Sequence, residues 1–196
     1  VKSIFPIYYF GNISYYKDIC AKKELVFEIN DFYLKQTNRN RLVILSANGK
    51  QELTIPVVKI NGSKTISKDI KIVPSTDWKK DHWRAILSSY KHAPYFEHYE
   101  SEIYHLIHDK HIFLIDLTLQ SHQLIRKWLN LPIEDTLTTE FTPYKLVDFR
   151  VGHTDHPYTS EYSYIQVFND KIPFQENLST LDAILNLGPM ARKLFL

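Results

Sequence analysis

Polar side chains crowd residues 33–41, where Tyr33, Lys35, Gln36, Thr37, Asn38, Arg39, Asn40 and Arg41 lie together, with Asn30 and Asp31 just ahead of them. Lys35, Arg39 and Arg41 could hold a phosphate or a carboxylate, because a guanidinium offers paired donors to two oxygens. Asn38 or Asn40 could orient an amide or a hydroxyl, and Tyr33 and Lys35 could complete a pocket. A solvated loop with basic residues ahead of an edge strand explains the same composition without any ligand. His82 is the candidate general base, since imidazole is the side chain that titrates nearest neutral pH. It also lies on the apolar stripe of an expected helix, where a histidine can fill a core and donate one hydrogen bond.

Other groups carry weaker signals. His98, Glu102 and His105 fall at i, i+4 and i+7 on one helix face, a spacing that could hold a surface metal ion but is commonly just solvated. His153-Thr154-Asp155-His156 lacks a third ligand. Cys20, between Ile19 and Ala21, reads as a small buried hydrophobe rather than a nucleophile. No phosphate-binding P-loop, dinucleotide glycine pattern or Gly-x-Ser-x-Gly elbow is present, which removes the commonest nucleotide and hydrolase readings. No metal or other cofactor is expected.

Periodicity gives the scaffold that would hold these residues. Short apolar runs at 4–10 and 25–29 suit buried strands, and residues 13–20 between them suit a short helix. Asn48-Gly49 separates 41–46 from 52–58, so a hairpin closed by a type I′ turn is expected, with Pro56 at an edge or at the end of its strand. One more strand is expected at 70–73. The period then changes to 3.6: Trp78, His82, Trp83, Ile86, Leu87 and Tyr90 form one stripe of a helix capped by Thr76 or Asp77. A second helix follows Pro94 with Phe96, Tyr99, Ile103, Leu106 and Ile107 inward, and a third covers roughly 117–129. Residues 130–171 read as ordered loops with short strand candidates near 139–142 and 164–168. Ser179 and Asp182 are spaced like a capping box opening a last helix, which Gly188-Pro189 would stop. The fold class is therefore α/β or α+β, a mixed sheet with a helical middle and a C-terminal helix.

Composition bounds the function. The chain has 196 residues, 44% hydrophobic and 23% charged, as one globular domain requires. Its 24 basic and 22 acidic residues nearly balance, so nucleic acid is not an expected partner. No segment approaches the 18 or so continuous apolar residues of a membrane span, and the single cysteine cannot form an internal disulfide. A cytoplasmic location is the expectation.

The run 33–41, followed by Ala47-Asn48-Gly49 and Leu53-Thr54-Ile55-Pro56-Val57, resembles the WbqC-like family of bacterial polysaccharide gene clusters. The likeness extends to Asp77-Trp78-Lys79-Lys80-Asp81-His82-Trp83-Arg84, to Pro94-Tyr95-Phe96 and to the segment from Asn177 to Pro189. Pro6 to Phe10 departs from it, lacking the Gln-Pro or His-Pro element of many members. The resemblance implies a part in O-antigen or related surface-glycan biosynthesis, with glycine transfer one suggested activity. Carried over, it makes the chain an acyl or aminoacyl transferase acting on a small molecule or a nucleotide sugar. The alternative is a non-catalytic ligand-binding or scaffold protein of the same pathway. The expected site brings Tyr33, Lys35, Arg39, Asn40 and Arg41 around one enclosed cavity with His82.

Overall fold

The computed structural model of the chain describes residues 2–75, 77–143, 149–150 and 163–196. Its amino-terminal third opens with a parallel pair, β1 (Ser3–Phe5) and β2 (Leu25–Phe27), joined by the crossover helix α1 (Ile13–Cys20). The expected strand at 4–10 stops at Phe5 for local reasons. Pro6 has no N–H to donate, its carbonyl accepts from the Tyr15 hydroxyl at 2.7 Å, and Phe10 turns into the left-handed region at φ 42°. Residues 7–10 nevertheless run through the interior, and Ile7, Tyr8, Tyr9 and Phe10 are all buried.

The hairpin is where the sequence places it: β3 (Arg41–Ser46) pairs antiparallel with β4 (Gly49–Thr54), with Ser46 opposite Gly49. The turn differs from the expected type I′. Neither Ala47 nor Asn48 has a positive φ, and only Gly49 does, at 103°. This is the geometry of a type I turn closed by a bulge glycine. Pro56 separates β4 from a short strand, β5 (Val57–Val58), which pairs with β6 (Lys71–Ile72). The mixed α/β class stands, with its strands distributed over three two-stranded ladders among the described residues.

Four longer helical stretches follow among the described residues: α2 (Asp77–Tyr90), α3 (Phe96–His108), α4 (Leu114–Leu129) and α5 (Thr180–Leu187). The five apolar residues expected inward on α3 are all buried. Helix α4 begins a turn earlier than the sequence suggests; Phe113 supplies no side-chain cap, and the Ile70 carbonyl takes the Leu114 N–H at 2.9 Å in its place. Asn130, at φ 46°, ends it in the left-handed conformation. Of the two residues expected to cap α2, Thr76 lies outside the described residues; the Asp77 N–H bonds to Ser75 Oγ. The strand candidate at 164–168 is loop and turn.

Ser179 caps α5 as expected, accepting from the Leu181 N–H at 3.3 Å. Asp182 does not close a capping box. Its carboxylate is buried and accepts from Tyr90 and Tyr164 hydroxyls at 2.9 and 2.6 Å and from Gln166 Nε2 at 2.9 Å. Burial raises its pKa, while those three donors oppose the rise.

Candidate functional site

The residues expected to share one cavity occupy separate settings. Arg39 is buried, and its Nη2 lies 2.6 Å from Asp31 Oδ2, whose other oxygen accepts from Ser67 Oγ at 2.6 Å. With Tyr33 it borders a hollow of about 20 Å³, room for roughly one water molecule. Burial pushes the Tyr33 hydroxyl up to about 12, against the lowering pull of Arg39 and Arg41. Asn40 is also buried; its Nδ2 donates to the Ile55 carbonyl at 2.8 Å and its own carbonyl receives the Ile55 N–H. It clips the strand end and, among the described residues, leaves Oδ1 without a partner. Lys35 is exposed.

His82 sits on α2 beneath the aromatic segment, 2% exposed, with Nδ1 3.4 Å from the Tyr9 hydroxyl and its ring edge-on to Trp78. Burial lowers its pKa to about 4, so the ring is neutral at physiological pH. The Thr54 backbone favours the protonated ring, yet completes no hydrogen bond to Nε2. Cys20 is half-buried, and burial pushes its thiol up to about 11, away from the thiolate a nucleophile needs. On α3, Glu102 is taken by Lys127 at 2.7 Å and Trp128 Nε1 at 3.0 Å. Among the described residues no group of three His, Cys, Asp or Glu could hold a metal ion; His153 and His156 lie outside them.

Arg41 is different. It lines a polar cleft of about 210 Å³ together with Asn12, Asn38, Lys50, Asn177 and Ser179, floored by Phe10, Leu42 and Val43. Two helix starts meet here: Asn12 caps α1, Ser179 caps α5, and the two residues form an antiparallel bridge. Their N–H groups are already spoken for. Ile13 and Thr180 donate to the Leu178 and Gly11 carbonyls, Ser14 to Asn177 Oδ1, and Tyr15 to Asn12 Oδ1. The helix ends therefore close on each other and offer a ligand no free backbone N–H.

What they do offer is side-chain amide. Since Oδ1 of Asn12 and of Asn177 must be the acceptor of a backbone N–H, the end left over is Nδ2, a donor. Asn12 is only 8% exposed, and among the described residues its Nδ2 has no partner. Arg41 gives Nη1 to Glu52 at 3.1 Å, and among the described residues its buried Nε is unpaired. Among the described residues no acidic side chain lines the cleft. The result is a surplus of donors around Arg41 and Lys50, complementary to a phosphate, a carboxylate or the oxygens of a sugar.

The backbone around the cleft is strained. Phe10, a buried aromatic, holds φ 42°, and Asn177 holds φ 55°. Left-handed backbone costs a bulky residue roughly 1–2 kcal/mol. Phe10 is fixed there from both sides, by its N–H to Ser121 Oγ at 3.2 Å and by Ser179 Oγ to its carbonyl at 2.7 Å. Gly11, next in line, has no room for a Cβ, which would meet the Tyr15 ring at 2.5 Å.

A model of the WbqC-like protein family matches residues 7–146, well over half of the chain. The chain belongs to the WbqC-like protein family. Membership associates this WbqC-like protein with polysaccharide biosynthesis. No curated protein and no solved structure matches it. The matched stretch contains Asn12, Asn38, Arg41 and Lys50, and ends before Asn177 and Ser179. Sequence reasoning misses Asn12, Lys50, Asn177 and Ser179 as site residues. A signal for Asn12 exists: an asparagine directly before the helical run 13–20 is a helix cap. Nothing local in the sequence announces that this cap and the one at Ser179 meet.

Proposed function

We propose that this WbqC-like protein binds an anionic glycan precursor, a nucleotide sugar or another phosphate- or carboxylate-bearing sugar, in the Arg41 cleft. Acyl or aminoacyl transfer in surface-polysaccharide biosynthesis is the reaction that binding would serve. The single observation carrying the reading is the lining, acid-free among the described residues, of Arg41, Lys50 and the amides of Asn12 and Asn177, whose acceptor ends are already used. Arg41 holds the anion and the amides of Asn12, Asn38 and Asn177 orient the oxygens around it.

A second reading, binding without chemistry, is favoured by His82. A general base must be reached by the proton it takes, and this ring is 2% exposed and a weak base. The two readings share the cleft and differ only in whether the bound molecule reacts.

The test is thermal stabilisation by inorganic phosphate, glycine and nucleotide sugars, on the wild type and Arg41→Ala. A ligand at a hundred times its Kd adds about 2.7 kcal/mol, which raises the Tm by roughly 5–10 °C in a chain of this size. A shift seen in the wild type and lost in Arg41→Ala supports the assignment. A shift of equal size in both, or none with any of these ligands, removes it. Retention of product formation by His82→Gln, with a nucleotide-sugar hit in hand, would exclude the imidazole as base.

A further inference from the structure

A second hollow, of about 420 Å³, lies against the β5–β6 ladder and shares no residue with the Arg41 cleft. Its walls are Val58, Ile72, Val73 and Ile112. Val58 and Ile112 are 46% and 55% exposed, so apolar surface faces water on two sides of an open cavity. The volume is in the range of small-molecule pockets.

The floor is already saturated. The Ile72 N–H bonds to the Ile112 carbonyl and the Val73 N–H to the Pro56 carbonyl, each at 2.9 Å. Strand β6 thus has β5 on one side and residues 112–113 on the other. A hydrocarbon can lie over it without stranding a backbone donor, and a peptide finds no free edge of β6 on which to add as a strand.

The rim is basic. Lys71, Lys79 and Lys110 border the hollow, and among the described residues no acidic side chain lines it. Lys79 is held in place, its Nζ donating to the His108 and Asp109 carbonyls at 3.2 and 2.5 Å, and Lys71 lies 5.8 Å from the Phe113 ring centre. An apolar interior under a ring of cations is complementary to one kind of small molecule, a short hydrocarbon chain ending in an anion.

We propose that this hollow binds an acyl chain whose carboxylate or phosphate head is met by Lys71, Lys79 and Lys110. The site is independent of the Arg41 cleft, and its failure would leave the function proposed there untouched.

The experiment is isothermal titration of the full chain with hexanoate, octanoate and decanoate below their micellar concentrations, with octylammonium as the control of opposite charge. Affinity is expected to rise about fourfold per methylene until the hollow is filled. Val58→Asp and Ile112→Asp, both at exposed positions, are expected to weaken octanoate at least about tenfold, and Arg41→Ala to leave it unchanged. Octanoyl phosphate against octanoyl-pantetheine phosphate separates a free activated acyl group from one presented on a carrier arm; tighter binding of either supports the site. Equal binding of octanoate and octylammonium, or unchanged octanoate binding in both aspartate variants, overturns the proposal. So does the absence of octanoate binding together with self-association in sedimentation that Val58→Asp abolishes, which would make the hollow a contact between two copies of the chain.

Discussion

Arg39 and Arg41 flank the same asparagine and do opposite things. Arg39 turns into the interior, where Asp31 takes its Nη2 at 2.6 Å and Ser67 takes the other carboxylate oxygen. Arg41 turns to a cleft where, among the described residues, its one ionic partner, Glu52, is half exposed and its Nε has no partner. The first arginine has a matched counter-charge and a water-sized hollow; the second has donors to spare and a cavity of about 210 Å³. Residue type does not separate a structural cation from a ligand-binding one. The balance of donors and acceptors around it does.

Removing the closed pair should have the largest effect. Arg39→Ala strands a buried carboxylate, and breaking such a pair costs about 3–5 kcal/mol. Urea unfolding should therefore show the largest loss of stability at Arg39, with ligand affinity of the folded fraction preserved. Arg39→Lys, which keeps the charge but not the fork, should lose part of that stability. An Arg39→Ala variant that melts like the wild type but loses its ligand would reverse the two roles.

A somewhat smaller effect belongs to His82, and its sign is fixed by burial. The ring's pKa falls from 6.5 to about 4 on folding, so as pH drops below 6.5 the unfolded chain takes up a proton that the folded one refuses. Stability supplied above pH 6.5 is lost progressively down to about pH 4, by roughly 3 kcal/mol at most. In a pH series of urea midpoints, His82→Gln should lack this component between pH 6.5 and 4. Parallel curves for the two proteins would mean that the ring is solvated and within reach of a substrate.

How much of this can be read from the sequence depends on the range of the contacts. Helix α1, the hairpin strands and the inward stripe of α3 rest on neighbours within a few residues, and periodicity finds them. The same holds for Ser179 as a cap and Pro56 as a strand end. The turn type escapes local reading because Asn-Gly suits both a type I′ turn and a bulge glycine, and the pairing of Ser46 with Gly49 decides between them. The site is half legible. The run 33–41 supplies Arg41 and Asn38, but the partners that give each residue its role are distant: Asp31 and Ser67 for Arg39, Ile55 for Asn40, Tyr9 for His82, and Asn177 and Ser179 for the cleft. Asp182 shows the limit most plainly. Its spacing from Ser179 fits a capping box, yet tyrosines from α2 and from residue 164 claim the carboxylate.

The least effect on stability is expected at Arg41, and that is what makes it informative. Its ion pair with Glu52 joins two partly exposed side chains, 27% and 49% accessible, and pairs of this kind are worth about 0–1 kcal/mol. Arg41→Lys should therefore leave the urea midpoint almost unchanged. If the cleft recognises a planar carboxylate or two phosphate oxygens, a point charge in place of the guanidinium fork loses one of the paired hydrogen bonds, and charge-assisted bonds contribute about 1.5–3 kcal/mol each. That corresponds to a Kd roughly 10- to 150-fold weaker. Asn12→Ala supplies the counterpart, since it removes both an amide donor of the cleft and the cap of α1 and should lower stability by about 1 kcal/mol as it lowers affinity. Arg41→Lys separates the two readouts and Asn12→Ala couples them. Equal ligand affinity in the wild type and in Arg41→Lys would mean that a point charge suffices and the guanidinium fork is not read, whereas equal affinity in Arg41→Ala would leave the cleft a packing defect between two helix caps.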